Sequence, residues 1–349
     1  MNRAFETPQS SVPTSELQKA IGSLLDPGAR SPLRATLLEW KPSAQRSSFA
    51  LEELVVVDDQ GRQFELIFKN VSPESLSGDA RRAKPQFLDD PRREIEVYRT
   101  ILDRSGLGTP TYYGSVCDEQ SGRFWLFLEK IQGVELYQIG DFRLWQSVAE
   151  WLAAFHDRFA RIESLPEAAA SILIQHDAAF YWHWIERARR FVAESAHPAR
   201  SAGIEFLNRL ALQYRSLIHE TLALPKGLLH GEFYASNVMV DTRENQVRIC
   251  PLDWEQAAIG SQLSDLAALT SGNWTEQEQH DLGLAYYRIM SERHRDGLEP
   301  EAFQRALILC RLHLAIQWLG WSRSWSPPVE QRQDWLAAAQ AAARQLCLF

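Results

Sequence analysis

The stretch GLLHGEFYASNVMVDTRENQVRICPLDWEQ, residues 227–256, holds the densest group of chemically reactive side chains in the chain. Glu232 is followed five residues later by Asn237, and Asp253 comes after the apolar runs NVMVD and QVRICPLD, which predict a short hairpin. A loop and the two ends of a hairpin can bring these three side chains to one point. Asn237 and Asp253 would then offer the oxygen ligands that Mg²⁺ prefers, and Glu232 could accept a proton from a hydroxyl group.

This pattern resembles the catalytic loop and metal-binding segment of the aminoglycoside phosphotransferase and choline kinase-like family, whose fold is related to that of protein kinases. The usual family pattern is H-G-D-x-x-x-x-N followed by an Asp, so Glu232 stands where the family has Asp. The resemblance implies that Glu232, Asn237 and Asp253 are catalytic, with Glu232 as the base. It also implies that Asn237 and Asp253 bind Mg²⁺ and that ATP is the phosphoryl donor, with GTP as an alternative. His230 is interpreted as a brace of the loop.

A kinase-like fold also requires a lysine on the third strand and a glutamate on the helix that follows. Lys69 ends the run QFELIFK, and Glu94 opens the amphipathic segment REIEVYRTIL. The resemblance assigns phosphate contacts to Lys69 and the holding of that lysine to Glu94, because an ammonium neutralises phosphate only when it is held in place. Glu96 is the competing candidate, but its helical period places it off the packed face. Lysine is scarce, with six among the 37 Lys and Arg residues.

Further matches extend the resemblance over about residues 35–270. The sequence LEKIQG resembles the family's connection between lobes, whose backbone binds the nucleotide base, so Glu129 and Ile131 are predicted to bind the nucleotide. Asp265 stands where the family has an aspartate after the metal-binding segment. The first hairpin, KPSAQRSSF, lacks the glycines that bring backbone amides to phosphate in protein kinases, and Arg46 is a candidate phosphate contact there.

Hydrophobic patterning predicts an α+β chain, and the resemblance implies that it forms a two-lobed protein kinase-like fold. Short apolar runs predict three antiparallel strands, an amphipathic helix after Pro91, and two further strands in TYYGSV and RFWLFLEKI. Beyond about residue 140 the apolar period becomes helical. We therefore predict three units: an arm with a short helix at 1–30, a nucleotide-binding lobe at 31–131, and a helical lobe with the catalytic loop and substrate site at 132–349.

Composition limits the partners of the protein. The 349 residues carry a net charge of −8, which argues against nucleic acid or an anionic membrane surface as a partner and is compatible with a cationic or neutral small partner. Four cysteines occur singly, and the first residues lack an apolar signal segment. These features predict a cytoplasmic protein with reduced thiols. The sequence does not reveal the oligomeric state.

The predicted function is transfer of the γ-phosphate of ATP to a hydroxyl of an aminoglycoside-, sugar- or amino-alcohol-like substrate. The first alternative is a pseudokinase, a noncatalytic protein that binds nucleotide and recognises a partner, and a third hypothesis is nucleotidyl transfer. The fold does not choose among substrates.

Three groups of side chains allow a structural as well as a functional interpretation. Glu255, two residues after Asp253, fits a role in metal or substrate binding or a place on the surface. Several tryptophans fit a stacking substrate cleft or, more commonly, helix packing; they are Trp182, Trp184, Trp318, Trp321 and Trp325. The remaining group is predicted to form one solvated helix face and comprises Arg187, Arg189 and Arg190.

Overall fold

The computed structural model describes most of the chain. The described residues are 12–24, 35–43, 48–103, 105–194, 200–243, 246–293, 297–321 and 333–349. The predictions for Arg46, for Trp325 and for the first part of the N-terminal arm lie outside them.

The N-terminal part is built on an antiparallel sheet. Apolar side chains that alternate along a strand point to one face of such a sheet and can be buried there. Its strands follow the order β1-β2-β3-β5-β4. They are β1 (Thr36–Pro42), β2 (Leu51–Val57), β3 (Gln63–Asn70), β4 (Tyr112–Asp118) and β5 (Arg123–Glu129). Helix α1 (Thr14–Leu24) buries Leu17 and Ile21 against one face, where they meet Leu54 and Phe68. On the opposite face of β3, Ile67 and Lys69 line a cavity.

Two helices lie between β3 and β4. Helix α2 (Gly78–Ala83) was not expected from the polar sequence in which it lies, and it begins where the Ser77 side chain accepts a hydrogen bond from the Ala80 backbone N–H. Helix α3 (Arg92–Glu96) is the predicted amphipathic helix after Pro91, and it continues as a π-helical segment through Leu102. Its buried face packs beneath the sheet, so this part of the fold prediction is confirmed.

The C-terminal part is mainly helical. Its helices are α4 (Phe142–Arg158), α5 (Glu167–Ala170), α6 (Ala178–Glu194), α7 (Arg200–Leu222), α8 (Leu263–Leu269), α9 (Glu276–Arg293), α10 (Pro300–Trp321) and α11 (Trp335–Gln345). They enclose two apolar clusters, one shared with the catalytic loop and α3, and one formed mainly by α6, α7, α10 and α11. The described helices include none that is long and apolar enough to cross a membrane.

Two small sheets position the chemically important loops. The first has the order β10-β9-β6 and the second the order β7-β11-β8. Their strands are β6 (Val134–Glu135), β7 (Ile174–Gln175), β8 (Lys226–Leu229), β9 (Val238–Asp241), β10 (Arg248–Pro251) and β11 (Ala258–Ser261). The predicted hairpin is the antiparallel pair β9 and β10. The α+β fold with an antiparallel N-terminal sheet and a helical C-terminal part is confirmed, whereas the domain boundaries at 30 and 131 remain a prediction.

Candidate active site

Lys69 links the two parts of the fold. It lies on the cleft face of β3, and its ammonium is 2.6 Å from Oε2 of Glu94 on α3 and 2.6 Å from Oδ1 of Asp253 after β10. The Lys69 side chain is only 4% exposed, so both ion pairs are shielded from water. The structure thus brings together three of the residues that the sequence predicted. Glu96, the competitor of Glu94, pairs with Arg99 instead.

The charges of these three groups depend on one another. Burial lowers the pKa of Lys69, but the charges of Asp253 and Glu94 outweigh it and hold that pKa above its ordinary value. Burial raises the pKa of Glu94 to about 7 against the opposing charge of Lys69. Burial also acts to raise the pKa of Asp253, but the charge and hydrogen bond of Lys69 lower it overall. Asp253 is therefore the carboxylate that stays ionised.

The carboxylate of Asp265, on α8, accepts hydrogen bonds from the backbone of the catalytic loop. Its Oδ2 accepts the His230 backbone N–H at 2.7 Å, and its Oδ1 accepts the Gly231 backbone N–H at 2.9 Å. His156 of α4 adds a third contact through Nε2 at 3.2 Å. The imidazole of His230 is buried and bonds through Nε2 to the Leu252 carbonyl at 2.8 Å, as expected for a bracing residue.

The side chains of Asn237 and Asp253 line the same cavity. Nδ2 of Asn237 donates to the Glu232 backbone carbonyl at 3.0 Å, which leaves Oδ1 available as an acceptor. Among the described residues, no group of three or more His, Cys, Asp or Glu side chains is arranged to hold a metal ion. The amide oxygen of Asn237 and the carboxylate of Asp253 are oxygen donors of the type that Mg²⁺ prefers.

Glu232 lies on the same loop as Asn237. Its backbone N–H donates to Nδ1 of His230 at 3.2 Å. Burial raises the pKa of Glu232 well above its ordinary value, and the nearby carboxylates of Glu255 and Asp253 raise it further. The charges of two lysines oppose this shift. Glu232 is thus a half-buried carboxyl group whose surroundings favour its neutral form.

A cavity of about 350 Å³ between β3, β5 and β9 fits the base and sugar of a nucleotide. Glu129 and Ile131 both line it, as predicted. Ile131 forms an apolar floor together with Met239 and Cys250. The Glu129 carboxylate is turned to Arg248, with contacts of 2.6 and 2.8 Å, and the Glu129 backbone N–H donates to the Thr111 carbonyl at 2.9 Å, so neither group is available to a base.

Three residues near the site were missed or left open by the sequence interpretation. The Lys84 ammonium, just after α2, lies 3.3 Å from Oε2 of Glu255, and the Ser48 hydroxyl donates to Oε1 at 3.1 Å. The side chains of Lys84 and Glu255 are 5% and 8% exposed, which excludes the surface interpretation of Glu255. The scarcity of lysine was the only signal in the sequence that pointed to Lys84.

The tryptophans divide between two environments. Trp184 is buried in the helical core, and the partly buried Trp182 packs against the same cluster, so the packing interpretation fits both. Trp321 stacks on Trp184 at 5.7 Å. Trp318 instead donates its indole N–H to the Tyr234 hydroxyl at 2.7 Å and thereby contacts the catalytic loop.

The prediction of a solvated arginine face on α6 is wrong for Arg187. Its guanidinium donates to the carbonyl of Gly320 at 2.7 Å and to that of Ala83 at 3.0 Å, so it ties α6 to the end of α10 and to the segment after β3. Phe87 of the same segment meets the ring of His183 at 4.9 Å. The period of α6 could not reveal these contacts, because they depend on the position of α2.

Comparisons with known proteins agree with this geometry. The microcompartment-associated aminopropanol kinase is similar in structure, with a TM-score of 0.57 and 16% identity over 93% of this chain and 95% of that one. The choline kinase LicA from Streptococcus pneumoniae gives a TM-score of 0.58 and 14% identity over 96% and 99%. The GDP complex of aminoglycoside 2'-phosphotransferase-IIIa gives 0.53 and 13% over 95% and 98%. At these identities the likeness shows the fold.

A search of curated protein sequences gave no match. The model of the phosphotransferase enzyme family, APH, matches residues 55–300, which include Lys69, Glu94, the catalytic loop and Asp253. Because this match covers well over half of the chain, the protein belongs to the APH phosphotransferase enzyme family.

Proposed function

We propose that this protein is a small-molecule kinase that transfers the γ-phosphoryl group of ATP to a hydroxyl group of its substrate. The observation that carries the proposal is the position of Lys69, which joins Glu94 and Asp253 at the inner end of the nucleotide cavity. A buried lysine between two carboxylates is prepared to neutralise phosphate charge without further ordering.

Different residues bind the base, the phosphates and the metal ion of the nucleotide. The backbone at Glu129 and Ile131 binds the base, and Lys69, held by Glu94, binds the α- and β-phosphates. Asn237 and Asp253 would hold Mg²⁺, which supplies neutralisation of phosphate charge. GTP remains an alternative donor, because GDP is bound by a protein with a similar fold.

Glu232 orients the acceptor hydroxyl and takes its proton. The hydroxyl oxygen forms a bond to the γ-phosphorus while the bond from that phosphorus to the β–γ bridging oxygen breaks, and ADP leaves with the bonding electrons. The proton passes to the Glu232 carboxylate. Glutamate is one methylene longer than the usual aspartate, and the loop contacts of Asp265 and Asn237 fix the backbone from which it extends.

The acceptor is proposed to be an amino alcohol, an aminoglycoside or a sugar. Proteins of similar fold are named as aminopropanol, choline and aminoglycoside kinases, and these substrates carry both a hydroxyl and a cationic group. The net charge of −8 supports a cationic substrate. A cytoplasmic location is proposed together with this function, because all four cysteines are unpaired.

The test is transfer of ³²P from γ-labelled ATP to a pooled library of aminoglycosides, sugars, amino alcohols and nucleosides. Wild type should form labelled product, and Asp253→Asn should lose it. Glu232→Gln should bind nucleotide but transfer phosphate at least about a hundredfold more slowly, which is the usual contribution of a positioned base. Release of pyrophosphate instead of ADP would indicate nucleotidyl transfer.

The pseudokinase alternative is favoured by one observation, the glutamate at position 232 where the family has aspartate. It predicts that wild type binds Mg–ATP and yields no labelled product with any pool. It also predicts that Glu232→Gln binds nucleotide as wild type does. Absence of nucleotide binding in wild type would contradict both functions.

A further inference from the structure

Lys84 is the second buried lysine near the candidate active site, and it comes from a different element than Lys69. It follows α2, its backbone N–H donates to the Ala80 carbonyl at 2.8 Å, and its side chain is 5% exposed. Arg187 anchors the preceding residue, Ala83, to the helical part of the fold. The backbone that carries Lys84 is therefore fixed on both sides.

The ammonium of Lys84 is held by a carboxylate whose two oxygens have different partners. Oε2 of Glu255 accepts Lys84 at 3.3 Å, and Oε1 accepts the hydroxyl of Ser48, at the end of the first hairpin loop, at 3.1 Å. The backbone carbonyl of Glu255 accepts a further bond from Arg93 at 2.8 Å. Glu255 thus joins the loop that would cover the phosphates to the segment that carries Asp253.

Both lysines lie within 6 Å of the ring of Phe49. The Lys69 ammonium lies 5.8 Å from the centroid of the Phe49 ring, and the Lys84 ammonium lies 5.7 Å from it. The ring is 6% exposed, so both cations are near a common apolar wall.

The two lysines have different carboxylate partners. Lys69 pairs with Glu94 and Asp253, next to the cavity that fits the nucleotide. Lys84 pairs with Glu255, two residues after Asp253, and the charges of both lysines act on Glu232, the proposed base. A phosphoryl group that passes from the nucleotide toward Glu232 would therefore move into the field of Lys84.

Phosphoryl transfer concentrates negative charge on the oxygens of the transferred group, and a cation fixed beside that group stabilises it. The catalytic loop HGEFYASN itself contains no lysine or arginine. We propose that Lys84 is a second phosphate-binding lysine, which contacts the γ-phosphoryl group, and that Glu255 is its positioning residue. This inference rests on the proposed kinase function.

A purely structural ion pair makes a different prediction. If Lys84 and Glu255 only stabilise the fold, their removal should weaken the binding of ADP and of a triphosphate analogue by the same factor. If Lys84 contacts the γ-phosphoryl group, its removal should weaken only the triphosphate analogue. The ratio of the two affinities separates the roles and needs no knowledge of the acceptor.

The experiment measures binding of Mg–ADP and of the nonhydrolysable Mg–AMP-PNP to the full chain by titration calorimetry. We expect Lys84→Met to weaken AMP-PNP binding by about tenfold or more, the usual effect of losing a hydrogen bond to a charged group, and to leave ADP binding within about twofold. Lys84→Arg should retain most of the AMP-PNP affinity. Lys19→Met, which removes an exposed lysine of α1 that does not line the cavity, is the control and should change neither.

Removing Lys84 alone leaves a buried carboxylate without its partner, so a second variant protects the test against misfolding. Lys84→Met combined with Glu255→Met replaces the pair by apolar side chains, which proteins tolerate well. It should again lose AMP-PNP affinity selectively, and Glu255→Gln alone should show a smaller loss in the same direction. An unchanged affinity ratio in the double variant would overturn the proposal.

The failure of this inference can be distinguished from failure of the proposed function. Wild type that binds neither nucleotide would contradict the kinase itself. Wild type that binds both nucleotides, with Lys84 variants that lose both equally or neither, would contradict only the role of Lys84. Single-turnover transfer then provides a second readout, because Lys84→Met should lower the rate with saturating ATP.

Discussion

The α-carbon of Gly231 faces the backbone carbonyl of Gln256 so closely that a Cβ at residue 231 would lie 2.1 Å from the carbonyl oxygen. The φ angle of Gly231 is +87°, which also disfavours any side chain. The glycine of the HGE motif thus lets the catalytic loop lie directly on the segment after Asp253. The relative positions of Glu232 and Asp253 depend on this contact.

Gly231→Ala is therefore expected to displace the loop. Gly61→Ala is the matched control, since Gly61 has a φ of +79° but no atom within 4 Å of the place that a Cβ would occupy. Gly61→Ala should lower the free energy of unfolding by about 1 kcal/mol from backbone strain alone. Gly231→Ala should lower it by at least about 2 kcal/mol more and reduce kcat, which urea unfolding and phosphoryl transfer would measure. Equal losses in the two variants would contradict this account.

Lys69→Met is expected to lower the free energy of unfolding by about 3–5 kcal/mol, because it leaves the buried Glu94 without its partner. Adding Glu94→Met should recover part of that loss, since the unpaired carboxylate is then removed. Neither variant should transfer phosphate. Thermal unfolding of both variants beside wild type checks the order of stabilities, and a double variant less stable than Lys69→Met would refute it.

Asp265→Asn is expected to disturb the catalytic loop through its backbone. Each carboxylate oxygen of Asp265 accepts one N–H, from His230 or from Gly231, and asparagine replaces one of these oxygens by an NH2 group, so one buried donor loses its acceptor at a cost of about 1–3 kcal/mol. We expect a fall in kcat with little change in the KM for ATP. Asp141→Asn, an exposed cap of α4, is the control, because asparagine caps helices as well as aspartate does.

His313 should make stability depend on pH. Its Nδ1 and Nε2 bond to the Tyr214 hydroxyl and the Thr221 hydroxyl, both at 2.8 Å, and the ring of Tyr181 lies 4.4 Å away. Burial, with a smaller contribution from the charge of His176, lowers the pKa of His313 to about 3. In the unfolded chain His313 therefore binds a proton near pH 6.5, whereas in the folded protein it binds that proton only at a much lower pH.

The stabilising effect of neutral His313 is complete above about pH 6.5 and is lost as the pH falls. The loss is about 1.4 kcal/mol for each pH unit over this range. His313→Asn should remove this contribution, so its free energy of unfolding should fall less steeply between pH 6.5 and 4. Exposed His219 is the control, and His219→Asn should keep the wild-type slope. Chemical unfolding at a series of pH values measures both.

The sequence predicted those parts of the site that depend on short-range spacing. The distance along the chain from Glu232 to Asn237 and the alternation that places Lys69 on a strand are local patterns, and Glu94 follows from a helical period. The structure brings these residues together as the resemblance implied. Their catalytic roles remain proposals.

The parts that the sequence did not predict depend on long-range packing. Lys84 meets Glu255 across 171 residues, and Arg187 meets Ala83 across 104, so no local period reports either contact. Strand β11 was missed because the sequence AIGS is short and made of small residues, and its partners are distant in sequence. The helix α2 was missed because its polar sequence GDARRA reads as a loop.

The contacts of the segment after β3 restrict rotation of the N-terminal sheet relative to the helical part of the protein. This segment is fixed to α6 through Arg187 and Phe87, and the connection at Ile131 and Gly133 lies at the nucleotide cavity. Rotation of the sheet about that connection alone would break the carbonyl contact of Arg187 and separate the ring of Phe87 from that of His183. The two parts of the protein are thus joined both by the connection at Ile131 and Gly133 and by the contacts of Arg187 and Phe87. A rotation about the connection alone is therefore disfavoured. An opening of the cleft by such a rotation has to break these contacts.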